Sequence, residues 1–245
     1  MNSNIIKLLC MVFMTMDHYA YMFLGFRSPQ YQIFRFFGRM VAPVMCYFLA
    51  EGYVRSSSFR KYLTRMLIYA FIAYVPYILM SNPRYLIGQG RFDWLDLNML
   101  FTLAICLVML KGIDYVNEHH DGDILLRNLV IAAAVLMTHF SDWNYFAPLW
   151  VANYYLNRDD EKTMWQYFLL IGLGVSWYSC SGILERYGLV AGARYCFFTL
   201  GTFVSGLLIK LYDHKRGKLN IKHFFYLYYP AHICVLVYLK YLSLR

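Results

Sequence analysis

Apolar runs separated by short polar connections organise this sequence. With soft ends they cover residues 5–26, 33–54, 62–81, 95–112, 124–141, 143–157, 164–181, 189–212 and 224–243. A helix needs roughly 17–25 apolar residues to cross a hydrocarbon core of about 30 Å, and most of these runs are that long. The sixth is shorter and opens at Asp142-Trp143-Asn144, which marks it as a tilted or re-entrant piece. The pattern predicts an all-α, polytopic helical bundle with about nine transmembrane helices, eight to ten being compatible with the soft ends. The connection from Ser81 to Asp96 holds the turn signals Asn82-Pro83 and Gly88-Gln89-Gly90, and Glu118 to Asp123 forms a polar, acidic connection. No connection is long enough for a soluble domain, and no internal repeat is visible. Residues 1–245 are therefore expected to form a single transmembrane domain. The first run has no small-residue cleavage site and is expected to be a retained helix.

Composition agrees with this pattern. The chain is 60% hydrophobic and 15% charged, with a mean hydropathy of +0.42, whereas soluble domains are nearer ~45–50% apolar and ~25% charged. The net charge of +9 would suggest nucleic acid as a partner for a soluble protein. Here the basic residues are spread over the connections, so topology accounts for them and no nucleic-acid partner is expected. One side collects Lys7, Arg55, Arg60, Lys61, Arg65, Lys111, Arg127, Arg158, Lys162, Lys210, Lys215, Arg216, Lys218 and Lys222. The other holds Arg27, Arg35, Arg84, Arg91, Arg186 and Arg194. By the positive-inside rule this is a multi-pass protein of the cytoplasmic membrane with its amino terminus in the cytoplasm. Cys10, Cys46, Cys106, Cys180, Cys196 and Cys234 all lie in apolar runs without ligand spacing, so neither a disulfide framework nor a metal site is expected.

Ionisable groups inside the apolar runs carry the candidate chemistry. Asp17-His18 stands in the first run, where even insertion-based scales put a central charge at ~2.5–3.5 kcal/mol. A rise of ~1.5 Å per residue puts His18 roughly 20 Å from Ile5, in the outer half of the membrane. A histidine there can take a proton from an attacking amine or hydroxyl. Asp17 points ~100° away from its neighbour on a helix, so it either fixes His18 or pairs with an arginine such as Arg39. Arg39 lies in Gly38-Arg39-Met40-Val41-Ala42-Pro43, about 9 Å deep, and reads as an oxyanion or acyl-donor contact, as Asp17's partner, or as a snorkelling side chain.

Asn98 and Thr102 share one helical face. They read equally as a donor pair for a reacting carbonyl and as an interhelical hydrogen bond. His232 lies near the middle of the last run, in Tyr228-Tyr229-Pro230-Ala231-His232, where Pro230 interrupts the backbone ladder and shapes either a cavity or a plain kink. Glu51 and Arg55 have the favoured i,i+4 spacing. Arg60, Lys61 and Arg65 form a basic cytoplasmic patch suited to phosphates or to anionic lipid. His139 reads as interfacial, and His119 and His120 as solvated loop residues. There is no GxSxG, Walker loop, HExxH or CxxC.

The order Ile6-Lys7, Met14-Thr15-Met16-Asp17-His18, Phe37-Gly38-Arg39, Ala42-Pro43, Asn98, Phe101-Thr102 and Phe225-Tyr226-Leu227-Tyr228-Tyr229-Pro230-Ala231-His232 resembles the TraX family over nearly the full chain. The namesake of that family acetylates the amino terminus of conjugative pilin, and the family is distantly similar to the acyltransferase-3 group of membrane acyltransferases. The resemblance implies transfer of an acetyl group from cytosolic acetyl-CoA to a protein or small-molecule acceptor. His18 and Asp17 would be catalytic, Arg39, Asn98 and His232 would contact the oxyanion or acyl donor, and Arg60, Lys61 and Arg65 would bind CoA phosphates. Lys7, Glu51, Thr102 and Tyr229 fall on further motif positions. The membrane lipid and the acceptor are the remaining expected partners, and no metal is implied. Two rival readings use the same buried groups, a small-anion or proton-coupled transporter and an assembly factor without chemistry. The first lacks inverted repeats, and the second leaves the Asp-His pair without a purpose.

Overall fold

The computed structural model describes residues 1–89, 93–215, 217 and 222–245, apart from the side chains of Lys222 and His223. Of the basic loop residues used for orientation, Arg91, Arg216 and Lys218 lie outside this set, as does the side chain of Lys222. Among the described residues the protein is all-α. Its helices are α1 (Ser3–Phe23), α2 (Pro29–Arg39), α3 (Val41–Val54), α4 (Phe59–Ser81), α5 (Met99–His119), α6 (Ile124–Met137), α7 (Phe146–Leu156), α8 (Glu161–Tyr187), α9 (Leu189–Tyr195), α10 (Leu200–Lys210) and α11 (Lys222–Ser243). Short 3-10 turns at Pro83–Ile87 and Phe197–Thr199 complete the described elements.

Local chemistry sets the helix ends. Asn2 caps α1 by accepting from the amides of Asn4 and Ile5, and Ser28 caps α2 with Pro29 at its first position. The α2–α3 junction at Met40 follows from Pro43, whose ring removes the hydrogen bond to the Arg39 carbonyl and crowds it. Gly188, at φ 75°, separates α8 from α9 in a conformation a side chain would disfavour.

Every apolar run of the sequence contains helix, but fewer of these helices are membrane-length than expected. Five spans qualify by length and apolarity: α1, α2 with α3, α4, α5 and α8. The bent pair of α9 and α10, with 49° between its arms, makes a sixth. The protein is thus a multi-pass membrane protein, and the count of about nine is not reproduced. At ~1.5 Å per residue, α6 with 14 residues and α7 with 11 fall short of a bilayer. Helix α11 has 22 residues, but Tyr226, Tyr228, Tyr229, His232, Tyr238 and Lys240 dilute its apolarity.

By residue contacts the chain comprises two compact units, whose boundaries fall inside α3, α4 and α8. Unit one is Met1–Val44, Leu79–Arg91 and Gly172–Arg245. Ile6, Cys10, Ala20 and Ile233 are buried in it. Unit two is Met45–Ile78 and Phe92–Ile171, with Leu107, Leu110, Ile113, Trp150 and Val151 fully buried.

Candidate active site

Unit one brings α1 and α11 together through two polar rungs. In the first, the Thr15 hydroxyl donates to the Met11 carbonyl at 3.0 Å, a bond within α1. Its one proton is thereby used, so at the 2.7 Å contact with Tyr228 the phenol is the donor. The second rung lies one turn further along both helices, where His18 Nδ1 stands 2.8 Å from His232 Nε2. Both histidines are buried, at 9% and 7% exposure.

The second rung fixes the tautomers. His232 Nδ1 lies 2.9 Å from the carbonyl oxygen of Tyr228, and a carbonyl only accepts, so that nitrogen carries the proton. With both rings neutral, Nε2 of His232 is an acceptor and takes its hydrogen bond from Nδ1–H of His18. The remaining nitrogen, His18 Nε2, is left with its lone pair. A backbone carbonyl on α11 therefore determines which atom on α1 is basic, the indirect orientation that makes a histidine a directed proton acceptor.

Asp17 faces the other neighbour of α1. Its Oδ2 pairs with Arg35 Nη1 at 2.7 Å, with the side chains 18% and 13% exposed. The other oxygen, Oδ1, is buried without a hydrogen-bond partner. Room for this carboxylate exists because residue 38 is glycine, since a Cβ there would stand 2.0 Å from Asp17 Oδ1. Arg35 lies one turn before Arg39, and both guanidiniums stand over the Phe198 ring, at 6.0 Å and 5.2 Å. The partner of Asp17 is thus an arginine, Arg35, and not the Arg39 offered by the sequence as one alternative. Tyr229, also buried, sets its ring edge-on to His232 at 5.8 Å.

Sequence reasoning missed Arg35, Thr15 and Tyr228 as site residues. By charge distribution alone Arg35 counts as one more basic residue of the outer side. The usable signal was its spacing, since Arg35 and Arg39 share a helical face and either can reach Asp17.

Of the anticipated residues, unit one holds Lys7, Asp17, His18, Arg39, Tyr229 and His232, and the structure joins Asp17 to Arg35 and His18 to His232. Glu51, Arg60, Lys61, Arg65, Asn98 and Thr102 belong to unit two. There Asn98 is fully buried and occupied. It caps α5 by accepting from the Leu100 amide, and its Nδ2 donates to the Ala70 carbonyl at 2.8 Å. The Thr102 hydroxyl reaches Ser141 Oγ at 2.9 Å and the Asp142 carbonyl at 2.7 Å, pinning the α6–α7 turn to α5. Glu51 pairs with Arg55 at 2.8 Å, the i,i+4 contact expected from the sequence. Arg65 stands over the Tyr62 ring at 5.5 Å near the start of α4.

Comparisons with known proteins identify the family. The model of the family described as TraX protein matches residues 2–240. A curated relative, the probable fimbrial assembly protein FimC, serogroup H1, of Dichelobacter nodosus, is 28% identical over 242 residues, covering 94% of this chain and 92% of the relative. No solved structure matches. With a family match that takes in both the α1 histidine and its partner on α11, the chain belongs to the TraX family.

Proposed function

We propose that this chain is a membrane-embedded acyltransferase that moves acetyl from cytosolic acetyl-CoA to an amine or hydroxyl of an acceptor. The relative's name and the family resemblance make a fimbrial or pilin subunit the favoured acceptor. The observation that carries the reading is the ordered relay from the Tyr228 carbonyl through His232 to His18, which leaves His18 Nε2 as the basic atom.

In the reaction, His18 Nε2 takes the proton of the acceptor N–H or O–H while that heteroatom bonds to the thioester carbonyl carbon. The tetrahedral oxyanion needs a fixed positive donor, and Arg39 is the group suited to it, the kind of electrostatic contribution that often dominates acyl transfer. Collapse breaks the carbon–sulfur bond, and the CoA sulfur receives the proton held on His18. Asp17 holds Arg35 and thereby keeps the face of α2 that carries Arg39 against α1. The amide of Asn98 is used for capping, which favours Arg39 over it as oxyanion donor. Arg60, Lys61 and Arg65 supply positive charge for the phosphates of CoA, in keeping with a cytoplasmic amino terminus.

The test is label transfer from radioactive acetyl-CoA by purified protein, wild type beside His18→Gln, with unfolding temperatures recorded in the presence of CoA. The reading expects CoA to raise the unfolding temperature of both proteins and the substitution to abolish turnover. Turnover by a folded His18→Gln protein would overturn it.

A further inference from the structure

Helices α4, α5 and α6 of unit two enclose a groove of ≈ 370 Å³ whose walls are almost wholly apolar. Phe101 lines one end, and Gly112, with Leu63 and Val130, lines the other. At ~1.5 Å per residue of α5, these ends are roughly 16 Å apart, about half of a ~30 Å hydrocarbon core and so close to one leaflet. The groove opens sideways, because Val108 and Met137 line it and are 52% and 64% exposed. In a membrane protein that opening faces lipid.

Among the described residues basic charge gathers at one end only, while Asp96 and Asp142 stand near the other. A Cβ on Gly112 would stand 2.9 Å from Val130 Cγ1, so the last turns of α5 meet the first turns of α6 there. Arg127 lies one turn before Val130 on the same face of α6, and its Nε is buried without a hydrogen-bond partner. The side chain makes no ion pair or hydrogen bond among the described residues. Lys111 lies one turn beyond Val108 on α5 and is exposed. Carboxylates at this end are partly engaged. Asp123 caps α6 through the Leu125 and Leu126 amides, and Asp114 accepts from the hydroxyls of Tyr53 and Tyr155. Glu118, in the last turn of α5, and Asp121, on the connection after it, stay exposed.

We propose that this groove seats one acyl chain of an anionic phospholipid from the surrounding bilayer, with its phosphate held by Arg127 and Lys111. A groove of single-leaflet length, open to lipid and ending at a half-buried guanidinium that no described carboxylate pairs, matches that chemistry at both ends. A zwitterionic lipid brings its own cation to the basic end, and a soluble phosphate leaves the apolar length unfilled. The proposal stands apart from acyl transfer. Arg60 also lies near this end, but the test leaves it and the histidine pair untouched.

The experiment uses the full chain, delipidated in detergent and titrated with phosphatidylglycerol or phosphatidylcholine. Unfolding temperature is recorded, and retained lipid is counted by native mass spectrometry. Wild type should be stabilised by phosphatidylglycerol and retain it, with phosphatidylcholine at least tenfold weaker. Arg127→Gln should lose that preference. Ala133→Phe, at an exposed alanine of the groove wall, should weaken both lipids by blocking the tail. Equal retention of the two lipids by wild type, or an unchanged preference in Arg127→Gln, would overturn the proposal. So would stabilisation by palmitoyl-CoA in place of phosphatidylglycerol.

Discussion

His18 Nδ1 lies 2.8 Å from Nε2 of His232, and the second ring is itself tied to the backbone of its own helix. The atom available for chemistry is therefore Nε2 of His18. Replacing His18 with Gln should lower acetyl transfer by at least ~10²-fold, the lower bound for a lost general base, in protein whose unfolding temperature stays near wild type.

His232 acts through His18, and its replacement should show that. His232→Ala should reduce kcat by about 10-fold or more and change KM little, since catalytic groups that lose orientation lose rate. Tyr228→Phe makes the contrast. It keeps the carbonyl that sets the tautomer and removes only the phenol bonded to Thr15. That change should cost ~0.5–1.5 kcal/mol of stability, one net hydrogen bond, and leave kcat within a few-fold of wild type. A Tyr228→Phe protein as inactive as His232→Ala would show that the phenol, and not the carbonyl, matters.

The Asp17–Arg35 pair is mostly buried, so breaking one side leaves a charge without its partner. Asp17→Asn and Arg35→Gln should each destabilise by about 3 kcal/mol, near the low end for buried pairs. The double substitution should cost less than the sum of the two. Chemical unfolding of the four proteins supplies the cycle, and strict additivity would mean that the pair contributes no coupling.

Gly38 is the neighbour that makes this pair possible. Gly38→Ala should destabilise by ~1–3 kcal/mol, as overpacking does. The new methyl would also stand 2.3 Å from Asp17 Cβ, an atom that serine keeps, so Gly38→Ala combined with Asp17→Ser should unfold no higher than Gly38→Ala alone.

Asn98 separates two roles. Asn98→Ala should lose about 1 kcal/mol as a missing cap, with further loss from the unpaired Ala70 carbonyl. Asn98→Asp keeps the capping oxygen and should be the more stable of the two. If both retain acetyl transfer in proportion to folded protein, the residue serves α5. A selective loss of kcat in folded Asn98→Asp would return it to the reaction.

The helical class and the positions of the helices were legible because uninterrupted apolar runs have few other outcomes. The number of crossings was not. Hydropathy shows the shortness of the run that holds α7, but it does not register the break at Met40, which depends on Pro43, the bend before α10, or the shortness of α6. His18 and His232 stand out as rare ionisable positions in apolar surroundings. Their pairing was hidden, because residues 18 and 232 meet only through the packing of α1 on α11. For Asp17 the sequence leaves two roles open, orienting His18 or pairing an arginine, and the structure shows the pair with Arg35. The choice between Arg35 and Arg39 turns on one helical turn, and sequence spacing does not resolve it.

Gly201 has a mechanical consequence. A Cβ at that position would stand 1.9 Å from the Phe36 carbonyl oxygen, so α10 and α2 touch backbone to backbone. Gly38 brings α2 nearly as close to α1. Parts that meet with no clearance cannot slide without first coming apart, so α1, α2 and α10 behave as a chassis. Helix α11 is fastened to it by side-chain hydrogen bonds, at Thr15, at His18 and at the Met22 carbonyl held by Lys240, and such fasteners release and re-form. It is the part of unit one whose polar attachment can yield. Tethering α2 to α10 should therefore change nothing, and tethering α1 to α11 in the arrangement that orients His18 should hold turnover while raising the unfolding temperature.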